Sequence, residues 1–500
     1  MSGVHEQANH PVTMGLLFYP RGGSAQVVRY LARALEPAGW DTSLACGSLG
    51  RPGDRTHAPS FFAPLAPQIT DYGAALTAAE QGRDPIAEPV PMHPSYEDRP
   101  GAPDRIFAAV SPQLHEHLAA AWSPRLAAAA AGAPPEVVHL HHLTPLHDAA
   151  ARVLPATPVV THLHGTELKM IARALALQAI AREHGTDIAA MAQLDPGGDV
   201  RWASWRFAAH WVEAMRAWAR ASAQIIAISP HDVALASELL GVEPQRTTWI
   251  PNGVDLARFD RAQPSSEQRT ARWRRWLVED PQGWREGGQP GSVRYPEAVL
   301  TRFADDGAGV PAPVLLFIGR FTEVKRIPLL IRAYARARAH FHRPAPLVIW
   351  GGFPGEFEGE HPHTVAERER VEDVFFVGWR GHSELGDGLA CSDVMVMPSI
   401  DESFGQVFVE AMACGVPVIA ANAGGPPSFI NVERGRPNGW LVKPDSLESL
   451  AEALIEAVND PAARAQRSEH GYAVTRRDFS WTTIAQRTAE VYERAVRTGP

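Results

Sequence analysis

The chain has 500 residues, too many for one ordinary core, and its composition (45% hydrophobic, 21% charged) is globular, so two domains of roughly 200 to 250 residues are expected. A formal net charge of −9 argues against a nucleic-acid binder, and an anionic ligand then requires a local basic patch. Three cysteines (Cys46, Cys391, Cys414) without metal or disulfide spacing, a polar first dozen residues and no apolar run of the ~18 residues a membrane span needs lead to the expectation of a soluble, cytoplasmic protein.

Two series of alternating strands and helices are predicted. The first opens with a strand over 12–19, a Pro-Arg-Gly-Gly-Ser loop over 20–24 and a helix over 24–37, with Val27, Val28, Leu31 and Leu35 on one side. Gly39 ends that helix, and 41–45 is the next strand. From 47 to about 104 the chain is rich in Pro, Gly and polar residues, and no element is placed there. Pattern resumes with a helix over 107–131, a strand over 136–141, a helix over 146–153 and a strand over 158–164. Helices over 167–183 and 203–221, a strand over 224–229, a helix over 231–240 and a strand over 246–250 complete this half.

Pro251-Asn252-Gly253-Val254-Asp255 is a turn cluster and the predicted hinge. The polar stretch 263–313 carries Trp273, Trp276 and Trp284 and is too long for a simple link, so it is expected to be an insertion. Its tryptophans either pack on the domain surface or meet an acceptor or partner. The second series runs through strands over 314–319, 347–351, 374–377, 393–399, 416–421 and 439–442. Its helices are predicted over 326–341, 364–371, 386–390, 403–414, 447–458 and 461–474, and a last helix over 482–498 follows Phe479-Ser480-Trp481. Two alternating series point to α/β architecture with two doubly wound parallel sheets.

The stretch 393–422 carries most of the chemistry. Ser403 followed by Gln406 has the spacing of a capping box, so a helix is expected to start there, at the carboxyl end of a strand, and to stop at Gly415. Open α/β sheets bind ligands at that end, and free helix N–H groups attract phosphate or sugar oxygens. Glu402 lies in the turn. Glu410 lies two turns into the helix on an otherwise apolar face, where an unpaired carboxylate is costly. The bland alternatives are a first-turn glutamate favouring the helix dipole and a solvated mid-helix glutamate.

Arg320 and Lys325 follow Phe317-Ile318-Gly319 at another strand end, where a guanidinium and an ammonium can stabilise developing negative charge. Ordinary surface cations would look the same. Gly22 and Gly23 let backbone approach a phosphate, yet they lack the G-x-G-x-x-G spacing of nicotinamide binders. Histidines cluster at two strand ends: His139, His141 and His142, then His162 and His164. Period-two alternation puts His139 with His141, and His162 with His164, on one face. That invites a zinc reading, which no acidic or cysteine partner spacing supports, and some of these rings could simply satisfy strand-end backbone groups.

Taken together as E-S-F-G-x-x-x-x-E-A-M-A-C-G-x-P-V-I-A, residues 402–420 closely resemble the donor-site signature of retaining glycosyltransferases of the GT-B fold, family 4 type. That group includes sucrose- and mannosyl-type transferases. Gly319-Arg320 with Lys325 is similar to the family's G-R-x-x-x-x-K diphosphate motif, Thr161–Thr166 resembles its histidine-glycine loop, and 252–255 also matches a family motif. The resemblance implies two Rossmann-like domains facing a cleft, 1–250 binding the acceptor and 251–478 the nucleotide-sugar, with a C-terminal helix at 479–498 returning to the first. It implies that Glu410 holds ribose hydroxyls, that Glu402 with the Ser403, Phe404 and Gly405 backbone holds the sugar, and that Arg320 and Lys325 neutralise the leaving diphosphate. His164 is the carry-over for the reacting sugar, opposite Glu402, and Gly22-Gly23 for the donor phosphate. No Asp-x-Asp is present, so neither a metal nor another cofactor is expected. The partners are a nucleotide-sugar donor and a small-molecule or glycan acceptor; nucleobase, sugar, acceptor and oligomeric state stay open. A GT-B-type sugar phosphorylase, which would lack its pyridoxal-phosphate lysine motif here, and a non-catalytic sugar-nucleotide-binding protein are the alternatives.

Overall fold

Short apolar runs such as Val394-Met395-Val396-Met397, every residue buried, can satisfy their backbone only inside a sheet covered on both faces. In the computed structural model, which describes residues 9–99, 101–304, 311–433 and 435–499, such runs assemble into two parallel sheets. Residues 1–8, part of the polar first dozen, and 305–310 of the predicted insertion lie outside the described residues.

The chain divides into two compact units, one running through Gly253 and resuming at Trp481, the other Val254–Ser480. The first holds β1 (His10–Leu16), β2 (Trp40–Ser48), β3 (Gln68–Asp71), β4 (Val137–His141), β5 (Val159–His162), β6 (Gln224–Ala227) and β7 (Thr247–Trp249). Their order is β3-β2-β1-β4-β5-β6-β7, with every pairing parallel. β3 falls inside the stretch where no element was expected. It has four residues, of which only Thr70 is buried, too few for a period-two signal.

The second unit holds β8 (Leu315–Gly319), β9 (Leu347–Gly351), β10 (Val374–Gly378), β11 (Val394–Met397), β12 (Val418–Ala421) and β13 (Gly439–Val442), in the order β10-β9-β8-β11-β12-β13. In both sheets the strand order reverses beside the first strand, between β1 and β4 and between β8 and β11. Helices then leave neighbouring strands toward opposite faces, and a crevice opens outside the carboxyl ends of that pair. The topology therefore nominates the segments after β1, β4, β8 and β11.

The helix Trp481–Thr498 belongs to the first unit, where Ile484, Ala485, Val491 and Tyr492 pack with Met14 and Leu16 of β1 and Val28 and Leu31 of the helix Gly22–Leu35. The chain passes between the units twice, side by side: the Val254 N–H donates to the Phe479 carbonyl at 2.7 Å. Gly253 lies under the Trp481 ring, where a Cβ would clash.

Trp273, Trp276 and Trp284 of the insertion are buried rather than presented to a partner. Trp276 meets Trp350 edge-on at 5.0 Å and donates to Glu384 Oε2 at 2.9 Å, while Trp284 stacks on Phe321 at 5.5 Å. The same segment covers edge strand β10: Tyr295 Oη accepts the Phe376 N–H at 2.8 Å, and Gly283 lies against the Phe376 carbonyl. An open edge is a template for unwanted pairing, and this one is closed. Among the described residues no helix is long and apolar enough to cross a membrane.

Candidate active site

The switch point of the second sheet is built by two short segments. After β8 come Arg320, buried Phe321 and a 3-10 turn Glu323–Lys325; after β11 comes the turn holding Glu402. Ser399 Oγ and the Ile400 N–H both donate to the Val324 carbonyl at 3.0 Å, which fixes the Lys325 turn against the end of β11. Lys325 Nζ forms an ion pair with Glu402 Oε1, the two side chains only 18% and 14% exposed. A largely desolvated ammonium is thus held beside a carboxylate at the point where the topology expects a ligand. Arg320, one residue past β8, is exposed.

The helix predicted to begin at Ser403 begins at Gln406. No capping box forms; Gly405 caps it in the left-handed region at φ 89°, and no side chain caps the end. The reason lies in the next loop. Gly425 N–H donates to the Glu402 carbonyl at 2.7 Å, and Gly424 and Gly425 press so closely on the Glu402 and Ser403 carbonyls that a Cβ at either would clash. Residues 402–404 are therefore held as extended turn rather than first helical turn. Phe404 turns inward and packs on Phe429 at 5.2 Å and Phe479 at 6.1 Å, leaving only its backbone to meet a ligand.

Glu410 is 4% exposed on the helix Gln406–Ala413, among Phe408, Val409, Ala411 and Met412. Its carboxylate meets His382 Nε2 at 3.2 Å. His382 opens the helix His382–Ala390 after β10, with its ring edge-on to Phe259 at 5.2 Å. Beyond β9 and β10, Phe353 and Trp379 are about half exposed, their rings 6.3 Å apart and nearly perpendicular. Exposed large aromatics at strand carboxyl ends are flat surfaces suited to stacking.

In the first unit Gly22 and Gly23 are exposed and form the first turn of the helix Gly22–Leu35 rather than a loop, with Gly22 at φ 73°. The neighbouring Arg21 reaches Tyr19 Oη at 2.7 Å and pairs with buried Asp104. His164, half-buried beyond β5, belongs to a stack of imidazoles: His139 on His141 at 4.4 Å, His141 on His162 at 5.1 Å and His162 on His164 at 4.7 Å. His141 Nδ1 lies 3.0 Å from His164 Nε2. Burial, followed by repulsion from neighbouring rings, holds His139, His141 and His164 well below the ordinary histidine range and brings His162 to about 3, so these four are neutral imidazoles. Glu167, fully buried, accepts from the His164 N–H at 3.0 Å and meets His142 Nδ1 at 3.3 Å. Burial pushes its carboxyl up; the His142 ring and these hydrogen bonds outweigh that and bring it below its usual value.

The structure thus brings Lys325 and Glu402 together and sets Glu410 on the helix that follows, while Gly22, Gly23 and His164 belong to the other unit. A family model for "Glycosyltransferase Family 4" matches residues 21–258, and one for "Glycosyl transferases group 1" matches residues 303–474. The chain belongs to the GT-B glycosyltransferases of the family 4 type. Similar curated relatives include a D-inositol 3-phosphate glycosyltransferase 2 of Catenulispora acidiphila, 31% identical over 284 residues (55% of this chain, 57% of the relative), and a D-inositol 3-phosphate glycosyltransferase of Kineococcus radiotolerans, 32% identical over 274 residues (52% and 54%). The chain spans a little over half the length of the curated relatives it matches. Among solved structures it is similar in fold to a sucrose-phosphate synthase from Thermosynechococcus elongatus (TM-score 0.59, 19% identity, 97% of this chain and 99% of that one). Anabaena HepE in complex with UDP and glucose gives a TM-score of 0.58 at 18% identity over 96% of this chain and 99% of that one.

Sequence reasoning about this GT-B chain missed His382, Trp379, Glu167 and the Gly424-Gly425 pair. The glycines carried a signal, two in a row two residues past a buried strand, which marks close backbone approach. His382 carried none. It reaches Glu410 across a strand order that periodicity does not reveal.

Proposed function

We propose that the chain transfers a sugar from a nucleoside-diphosphate sugar to a hydroxyl of a small-molecule or glycan acceptor, with retention of anomeric configuration and without a metal. The observation that carries this reading is the Lys325–Glu402 ion pair at the second sheet's switch point, with the buried Glu410 on the helix that follows. In this reading the anomeric C–O bond to the diphosphate breaks as the acceptor oxygen bonds to the same face. The acceptor's proton passes to an oxygen of the departing diphosphate, so no protein base is required. Lys325 and Arg320 neutralise the charge that develops on that leaving group, an interaction stronger in the transition state than in the ground state. Glu402 and the backbone of Ser403–Gly405 hold sugar hydroxyls, and Glu410, oriented by His382, holds the ribose.

In the first unit we assign Gly22 and Gly23 to phosphate oxygens and His164 to a hydroxyl of the reacting sugar, as a neutral hydrogen-bonding ring rather than a base. The similarity to D-inositol 3-phosphate glycosyltransferases supports a glycosyl transfer, and the structural neighbours include complexes with UDP, UDP-glucose and, for a starch synthase IV from Arabidopsis thaliana, ADP, which supports the donor class without choosing a base. Three free buried cysteines fit a reducing compartment, and we place the reaction in the cytoplasm.

A thermal-shift panel of UDP, GDP, ADP and TDP in excess chelator tests the donor site. One nucleotide at 100 times its dissociation constant adds about 2.7 kcal/mol to the stability of the state that binds it. The reading expects such a shift for one base and its loss in Lys325→Ala. No shift with any nucleotide, or an equal shift in the variant, overturns it.

A further inference from the structure

The histidines that looked unpartnered in sequence acquire partners from the adjacent strand. His139 and His141 alternate onto one face of β4, and His162 of β5 stands in register beside His141. All three are at least 98% buried, and each can offer a ring nitrogen such that the three atoms lie within 4.8 Å of one another. We propose that His139, His141 and His162 bind one divalent transition-metal ion of the zinc, cobalt or nickel class, at a site inside the first unit, one hydrogen bond away from His164.

The hydrogen-bond pattern prepares these rings as ligands. His139 Nδ1 is bonded to Tyr492 Oη and His141 Nδ1 to His164 Nε2. With Nδ1–H donating in both, each Nε2 keeps a lone pair, and both Nε2 atoms are buried without a partner among the described residues, as are both nitrogens of His162. A buried acceptor without a partner is destabilising, so several in one cluster call for an occupant. Fixing one ring nitrogen so that the other is presented is how metal-binding histidines are oriented. Two nitrogens on one tetrahedral ion stand about 3.4 Å apart, so binding requires the rings to turn out of their stack until their lone pairs converge. Imidazole suits zinc, cobalt and nickel, whereas magnesium and calcium take oxygen ligands.

Charge points the same way. Glu167 is a fully buried carboxylate beside the stack, held by the His142 ring and by N–H and O–H donors, none of which carries a permanent positive charge. A cation among the rings would add to the His142 contact that already faces it.

The test uses the full chain, stripped with chelator and titrated with Co²⁺ or Zn²⁺. The expected result is one equivalent bound with visible absorption bands of low-coordinate Co²⁺. X-ray absorption of the Zn²⁺ form should show imidazole nitrogens at about 2.0–2.1 Å. His139→Gln and His162→Gln should each weaken binding at least tenfold, Tyr492→Phe roughly 10–100-fold, and the exposed His184→Gln not at all. Should the histidine variants fail to fold, the wild-type absorption spectrum and Tyr492→Phe still decide. Binding no stronger in the wild type than in the His139→Gln/His162→Gln chain, or a Zn²⁺ shell without imidazole, overturns the proposal.

Discussion

Lys325 is held by Glu402 and by a turn pinned to β11, so its ammonium is placed before any ligand arrives. Preorganised charge of this kind acts mainly on the transition state. Lys325→Ala is expected to lower kcat/KM by about 10²–10³-fold while changing unfolding free energy by less than about 2 kcal/mol, because Glu402, partly exposed, can rehydrate. Steady-state kinetics beside urea melts check both halves. The pairing of Lys325 with Glu402 was not legible in the sequence, because each residue was read with its own neighbours, and it is the adjacency of β8 and β11 that joins them.

A second prediction at this scale concerns His93, buried among Phe18, Tyr19 and Tyr72. Burial lowers its pKa to about 4 from the ordinary 6.5, and nearby Arg21 adds to this, while Asp104 opposes it. The unfolded chain therefore binds more protons between these values, and stability rises with pH across that window. The contribution is fully present above about 6.5 and is lost as pH falls toward 4. His93→Phe should flatten the stability slope between pH 4 and 6.5 by up to about 1.4 kcal/mol per unit and leave it unchanged above pH 7.5. An unaltered slope in urea melts across the lower range would refute the assignment.

Among the elements, many strands were legible as short continuous apolar runs, and the longer helices because their apolar residues repeat near 3.6 positions over enough turns to be seen. What was missed is short. β3 has four residues, and the helix Ile188–Leu194 has seven, its start marked only by Asp187, whose side chain accepts the Ala190 N–H. The capping-box expectation at Ser403–Gln406 failed for a different reason: local chemistry permitted it, but contact with Gly424 and Gly425 holds 402–404 out of the helix. Gly425→Ala is accordingly expected to displace that turn, raising the KM for the donor more than it lowers kcat, at a stability cost of about 1–3 kcal/mol. An unchanged KM would show that the turn does not touch the donor.

At the scale of the whole molecule, the alternation of strands and helices announced two doubly wound sheets, and the turn at Pro251–Asp255 announced the break between them. The final helix, by contrast, carries a stripe of apolar residues that says only that it is covered, not by which sheet. Its cover is the first unit, through Ile484, Val491 and Tyr492. Tyr492→Ala should therefore cost about 3–5 kcal/mol in the first unit alone, lowering one calorimetric transition and leaving the transition of 254–480 in place. Equal lowering of both transitions would contradict that placement.

The proposed transfer cleaves a nucleoside-diphosphate sugar at its anomeric carbon with retention and without a metal. Proton NMR of the reaction in excess chelator reads this directly, by following the anomeric coupling of donor and product while nucleoside diphosphate accumulates. Wild type is expected to release one nucleoside diphosphate per sugar transferred, with a product that keeps the donor's anomeric configuration, and Lys325→Ala to slow release and transfer together. An inverted product, a reaction that consumes inorganic phosphate, or activity abolished by chelator and restored by Mg²⁺ or Mn²⁺ would contradict it.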